Sequence, residues 1–260
     1  MSTNSISVKN TICTRIVSAA VAVAQLASAP AMAQTSADET AKVLVTAVKG
    51  PELKSYRVMV AGLDAFDANH ALAPRAPEVR FRLRRNNSDQ SVDSNPLALR
   101  IAGTTISVTL PLAADQSFSL PRNERALSED ADLVLNKKRN NYGWDAVVNS
   151  EGVPSGMRRL GDLRLECQVL VAVGKKELNF VERALFSTVL GGTDWCRTAK
   201  FQYTTSSQRP LRSATLIVGT SRIALPLADH GMSYTTPPEG DGYTDDALIE
   251  LTFTDSVRGL

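Results

Sequence analysis

The sequence predicts a mainly β protein, built as two β-sandwich-like modules with a central amphipathic helix. Three observations lead there. Short apolar runs alternate with polar positions and are punctuated by Gly, Pro, Asn and Asp. One stretch carries a helical apolar period. A pattern of matched residues recurs at a nearly constant offset of 116 positions, computed from the residue numbers.

The first 33 residues read as a cleavable export signal. Residues 1–15 carry Lys9 and Arg15 and no acid, Ile16 to Ala24 is nearly all apolar, and Ala31-Met32-Ala33 fits the small-x-small cleavage pattern. The apolar core is about half the 20 residues a spanning helix needs, so cleavage between Ala33 and Gln34 is expected rather than anchoring. Residues 34–42 are polar and are expected to form a disordered tail. The first β module is expected over 43–165, a helix with a disulfide over 166–198, and a smaller second module over 199–256.

Within the first module, Val79-Arg80-Phe81-Arg82-Leu83-Arg84 alternates strictly, as a half-buried strand should. Further strands are expected over Leu97–Ala102, Thr104–Leu112, Ser117–Leu120, Leu133–Asn136 and Trp144–Asn149. The alternation of Leu163, Leu165, Cys167 and Val169 predicts another. A short helix is expected from Leu63 to Leu72, stopped before Pro74. The longer helix is expected from Lys176 to Leu190, with Leu178, Val181, Leu185 and Val189 forming its apolar stripe and Gly191-Gly192 its stop.

The recurrence pairs Ile101-Ala102-Gly103-Thr104 with Ile217-Val218-Gly219-Thr220, and Leu110-Pro111-Leu112-Ala113 with Leu225-Pro226-Leu227-Ala228. It continues through Ser117-Phe118 and Ser233-Tyr234, Pro121 and Pro237, and Asp130-Ala131 and Asp246-Ala247. Proline cannot donate to a ladder, so Pro111 and Pro226 should end strands. Phe118 and Tyr234 should fill the core of each module. Two readings stay open: a duplicated β module, or strand-turn patterns that resemble one another in any β chain.

The segment from Leu110 to Pro121 resembles the strand-turn-strand signature of carboxypeptidase-regulatory and transthyretin-like β-sandwich modules, and Leu160-Gly161-Asp162-Leu163-Arg164-Leu165 is similar to their final strand. The mature chain as a whole resembles uncharacterised exported proteins of Gram-negative bacteria. The resemblance implies a sandwich fold and lends no catalytic residues.

Cleavage alters the charge. The chain has 29 Lys+Arg and 27 Asp+Glu; loss of Lys9 and Arg15 leaves 27 of each. A neutral mature chain gives no reason to expect nucleic acid as a partner. No second apolar run reaches spanning length, so no transmembrane segment is expected in it. Cys13 is lost with the signal, and Cys167 and Cys196 remain. In an exported chain such a pair predicts a disulfide, pinning the helix against the preceding strand.

The search for chemistry yields candidates rather than a site. There is no G-x-S-x-G and no HExxH. His70 and His230 are expected at the surface. The acidic stretch from Glu239 to Asp246 has the oxygens for calcium but not EF-hand spacing, and reads more simply as a solvated turn. No metal and no cofactor are expected. Arg80, Arg82 and Arg84 with Lys137, Lys138 and Arg139 could bind an anionic group; they also suit an outer face whose charges prevent strand pairing. Tyr142, Trp144, Trp195 and Tyr203 suit a sugar platform or the core. Two functions are compatible with this. One is a non-enzymatic periplasmic or secreted protein that binds a protein or an envelope glycan. The other is a carboxylate-based glycan hydrolase, whose two acids must flank a cleft.

Overall fold

The computed structural model describes residues 50–86, 95–198 and 200–254. The export signal, its cleavage point at Ala33 and Gln34, and the polar tail lie outside the described residues. Among the described residues fourteen strands form four antiparallel sheets, the mainly β class expected from the sequence.

The chain begins with β1 (Pro51–Ser55), which runs directly into α1 (Tyr56–Ala68). Then come β2 (Val79–Arg85), β3 (Leu99–Ala102), β4 (Ser107–Leu110), β5 (Ser117–Phe118), α2 (Glu124–Ser128), β6 (Asp132–Lys138) and β7 (Tyr142–Val148). A second series starts the same way: β8 (Met157–Arg159) runs directly into α3 (Leu160–Glu177), followed by α4 (Phe180–Leu190). It closes with β9 (Tyr203–Ser206), β10 (Leu211–Val218), β11 (Ser221–Leu225), β12 (Leu227–Ala228), β13 (Ser233–Thr236) and β14 (Leu248–Phe253).

The two series share a pairing order. The first has a sheet β1-β6-β3-β4 and the second a sheet β8-β14-β10-β11. Beside these, β2 pairs with β5, and β9 with β13. Both helices are entered alike: Tyr56 N–H donates to Ala131 O at 2.9 Å, and Leu160 N–H to Ala247 O at 2.8 Å. The hairpins correspond with Leu99 opposite Leu110 and Ala214 opposite Leu225. Ile101 therefore corresponds to Leu216, one position away from the Ile217 that letter matching selects. Phe118 and Tyr234 are both buried.

The main departure from expectation is α3. Leu163 to Val169, expected as a strand, lies within this helix, and the Lys176–Leu190 helix is divided at Leu178 and Asn179. Physically, α3 is walled in on every side. Leu165, Val169 and Val173 pack into the core of the first series, Leu160 and Leu163 into that of the second, and Cys167 and Val171 against Trp195 and Cys196. A helix apolar all round shows no stripe. The intervening Asp162, Arg164 and Glu166 are buried too, each with hydrogen-bonding partners, so the sequence alternates as a strand would.

The α4 stripe is a second correction. Asn179 starts this helix with a capping box to Glu182, and Gly191, at φ 78°, stops it where the Gly pair predicts. Its apolar face, however, points to solvent: Val181, Leu185 and Val189 are 72%, 62% and 62% exposed. The short helix starts earlier than expected, at Tyr56, and ends at Ala68, with a single 3-10 turn over His70–Leu72.

Gly161 shows how tightly α3 is seated. A Cβ there would lie 2.1 Å from the Leu72 carbonyl oxygen and 2.8 Å from the Asp245 Cβ. Gly161→Ala is expected to cost about 1–3 kcal/mol, the range for overpacking a rigid contact. Urea unfolding checks it; an unchanged midpoint would show that α3 can shift away from Leu72.

Candidate functional site

The two series meet around a cleft of about 1260 Å³. One wall is the outer face and far end of β2, with Arg82, Arg84 and Arg85, together with Trp144 and Asp145 of β7. The opposite wall is β9 with the residues either side of it, Phe201 to Thr204 and Ser206 to Gln208. The floor is the last turns of α3, through Leu170, Val173 and Gly174. Two loops close the rim: Ala114 to Gln116 before β5, and Asp229 to Met232 before β13.

These rim loops occupy equivalent places in the two series and are built alike. The Ser117 hydroxyl donates to Asp115 at 2.7 Å, and the Ser233 hydroxyl to Asp229 at 2.7 Å. Both loops place non-glycine residues in the left-handed region: Gln116 at φ 64°, Asp229 at 51° and His230 at 55°. Such residues carry backbone strain, and these three all line the cleft. Sequence reasoning missed this pair of loops. In the second loop a signal was present, because Asp and His are enriched in this conformation; Gln116 carries none.

The charges inside are committed to one another. Asp145 receives Arg84 at 3.2 Å and Arg82 at 3.6 Å. Lys54 reaches Glu177 at 2.5 Å. Partial burial raises the Asp115 carboxyl, but the Ser117 hydroxyl and N–H, with Arg82, outweigh it and hold it below the usual carboxylate range. Held so, Asp115 is not placed to keep a proton at neutral pH as a general acid must.

Below the cleft, a small cavity of about 20 Å³ is ringed by Asp145, Ala146, Arg158, Glu166 and Tyr203 to Ser206. Glu166 accepts from Arg158 at 2.7 Å and from the Val148 N–H at 2.8 Å. Burial pushes this carboxyl above its ordinary range, against the pull of Arg158. Burial also raises Tyr203 well above 10, and Tyr234 to about 12. An unfolded tyrosine ionises near pH 10, so the folded state loses stability as pH rises from there towards 12. Tyr234→Phe is expected to flatten part of that alkaline loss while leaving stability at pH 7 within about 1 kcal/mol. Melting temperature against pH measures both, and an unchanged alkaline slope would contradict the burial argument.

The residues singled out from the sequence separate. Arg82 and Arg84 line the cleft, whereas Arg80 bonds to Glu78, Ser117 and Ser119. Lys137 is buried, with its Nζ 2.6 Å from the Asn95 carbonyl. Lys138 and Arg139 sit at the β6–β7 turn and do not line the cleft. Of the four aromatics, Trp144 and Tyr203 line it, Trp195 packs beside Cys196, and Tyr142 packs against the first core. His70 donates from Nε2 to the Ala76 carbonyl, 2.9 Å away, and packs at a tilt against Phe66; His230 is exposed on the rim. The Cys167 and Cys196 sulfurs are 2.12 Å apart, tying mid-α3 to the 3-10 turn at Trp195–Arg197 rather than to a strand.

The acidic stretch from Glu239 to Asp246 surrounds a cation of the protein itself. Arg164 donates to Asp241 and Asp245, at 2.9 and 2.7 Å, and to the Pro238 and Tyr243 carbonyls. Among the described residues no group of His, Cys, Asp or Glu is arranged to hold a metal ion, and no helix is long and apolar enough to cross a membrane. Comparison with family models, curated proteins and solved structures finds no match to this chain.

Proposed function

We propose that this chain is an exported, periplasmic or secreted, non-enzymatic protein, that its two series descend from a duplicated β-α-β module, and that it holds a segment of a partner protein or an envelope component in the cleft between them. The observation that carries the reading is the cleft. Its volume exceeds the roughly 300–1,000 Å³ of ordinary small-molecule sites, and it is lined by aromatic rings and amides from both series and by arginines of the first. That lining suits a polar, oligomeric ligand held by stacking and hydrogen bonds.

Binding is favoured over hydrolysis because the cleft carboxylates already have partners: Asp145 its two arginines, Glu177 its lysine, and Asp115 and Asp229 a serine each. A cysteine pair at disulfide distance supports an oxidising compartment. The shared pairing order of the two series and their like helix entries support duplication.

The test is direct. The mature chain, from Gln34, is probed with arrays of random decapeptides and of neutral and acidic oligosaccharides. Ligands held in the cleft should be lost on Trp144→Ala, measured at a temperature where circular dichroism shows the variant still folded, because the ring also packs on Phe118. Hits that survive this substitution place the binding surface elsewhere and contradict the reading.

A further inference from the structure

We propose that the cleft takes its ligand as a β-strand: an extended segment of a partner polypeptide pairs with the open edge of β9. This rests on the cleft being the binding site and specifies what occupies it.

The argument starts from hydrogen-bond parity. In an antiparallel pair, alternate residues point their N–H and C=O towards the partner strand and away from it. Ser207 N–H donates to Met232 O, towards β13, so Tyr203 and Thr205 also face β13. Thr204 and Ser206 therefore turn their backbone groups outward, and both residues line the cleft. The same parity holds in β7. Val148 gives its N–H to Glu166 and its C=O to Arg158, away from β2. Trp144 and Ala146 then also point away from β2.

Side chains of α3 and β8 thus close one end of the β7 edge, at Val148. Among the described residues, the outward backbone groups of Trp144, Ala146, Thr204 and Ser206 meet no protein partner. Ala146 faces the small cavity rather than the cleft, so the groups open to a ligand are those of Trp144, Thr204 and Ser206; the Trp144 indole N–H there is buried without an acceptor. Thr204 and Ser206, two residues apart on the cleft wall, present the unpaired edge that an added strand would use.

The two series supply the second observation. In the first, β2 has β5 on one side and β7 on the other. In the second, β9 has β13 on the side equivalent to β5, and no described strand on the side equivalent to β7. Arg82 opposite Ser117 corresponds to Ser206 opposite Ser233, so the edge covered by β7 in one series is the edge left open in the other. A strand added there would sit about 4.8 Å from β9. One of its faces would meet Leu170 and Val173 of α3, so small apolar residues should alternate with polar ones in it.

The experiment uses the mature chain with a decapeptide selected from the random array. Thr204→Pro removes an outward donor and spares the β9–β13 ladder; it should weaken peptide binding about tenfold or more at unchanged melting temperature. In the wild type, peptide should slow amide exchange at Thr204 and Ser206 and leave Tyr203 and Thr205 unchanged, a readout that needs no variant. Peptide binding without this alternation overturns strand addition. So does oligosaccharide binding that Trp144→Ala abolishes and Thr204→Pro spares, although the cleft reading then stands. A concentration-dependent dimer broken by Thr204→Pro would put a second copy on the edge and overturn a partner segment. No binding to either array overturns both readings.

Discussion

Replacing Arg164 with methionine is expected to destabilise the protein by about 3–5 kcal/mol, the range for removing one partner of a buried ion pair. The Arg164 side chain is 5% exposed and holds two carboxylates and two carbonyls of the loop between β13 and β14. Methionine fills most of the volume but leaves those four acceptors facing a donor-free pocket. Arg164→Lys keeps the charge and loses the fork that reaches both sides of the loop, so its loss should be intermediate. The same loop bonds the start of α3, where Gly161 N–H meets Asp245 O, so the damage should extend to the helix. Urea unfolding at pH 7 measures it. A loss under about 1 kcal/mol for Arg164→Met would mean that the loop stands without its guanidinium.

Removal of the Cys167–Cys196 bond by a double serine substitution is expected to cost about 3–4 kcal/mol in the chain-entropy model, for a sequence separation of 29. The later part of the enclosed segment, α4, has little else to fix it. No residue of α4 is buried, and its links to the body converge on one place: Phe186 packs at a tilt on Trp195, 5.7 Å between ring centres, Ser187 accepts from the indole N–H, and Leu190 packs on the same cluster and accepts from the Thr198 hydroxyl. Trp195 also lies under the Lys175 ammonium, 4.8 Å away. The variant should therefore lose protection first around α4 and Trp195, seen as a red shift of tryptophan emission before global unfolding. Coincident loss over the whole chain would contradict this local role.

The sequence showed most strands and little of the site, for separable reasons. The alternation from Val79 to Arg84 is legible because β2 has one buried and one polar face. The alternation from Leu163 to Val169 misleads because α3 buries its charges along with its apolar residues. Asp162 caps Ser150, Glu166 caps Val148 and Arg164 organises a distant loop. No local pattern distinguishes a charge buried in pairs from a charge facing water. The apparent calcium loop has the same origin: Arg164 lies about eighty positions away and supplies the cation. The α4 stripe is correctly helical, yet periodicity says only that a face is apolar, not that something covers it. The Cys167–Cys196 pairing needed only count and compartment. The cleft needed the equivalence of the two series, of which the matched letters Leu110-Pro111-Leu112-Ala113 and Leu225-Pro226-Leu227-Ala228 were the visible part. The backbone edges that line it leave no mark in side-chain identity.

The central claim is that the cleft between the two series holds the ligand. It is tested most directly by replacing single residues with a photoreactive amino acid in the mature chain and irradiating it with an envelope fraction. A probe at Gln202, which lines the cleft, is predicted to trap one discrete partner, and the adduct should disappear when Trp144→Ala is combined with it. A probe at Val181, on the exposed face of α4, should trap none. The same adduct at Val181 and nothing at Gln202 would contradict the account and move the binding surface to α4.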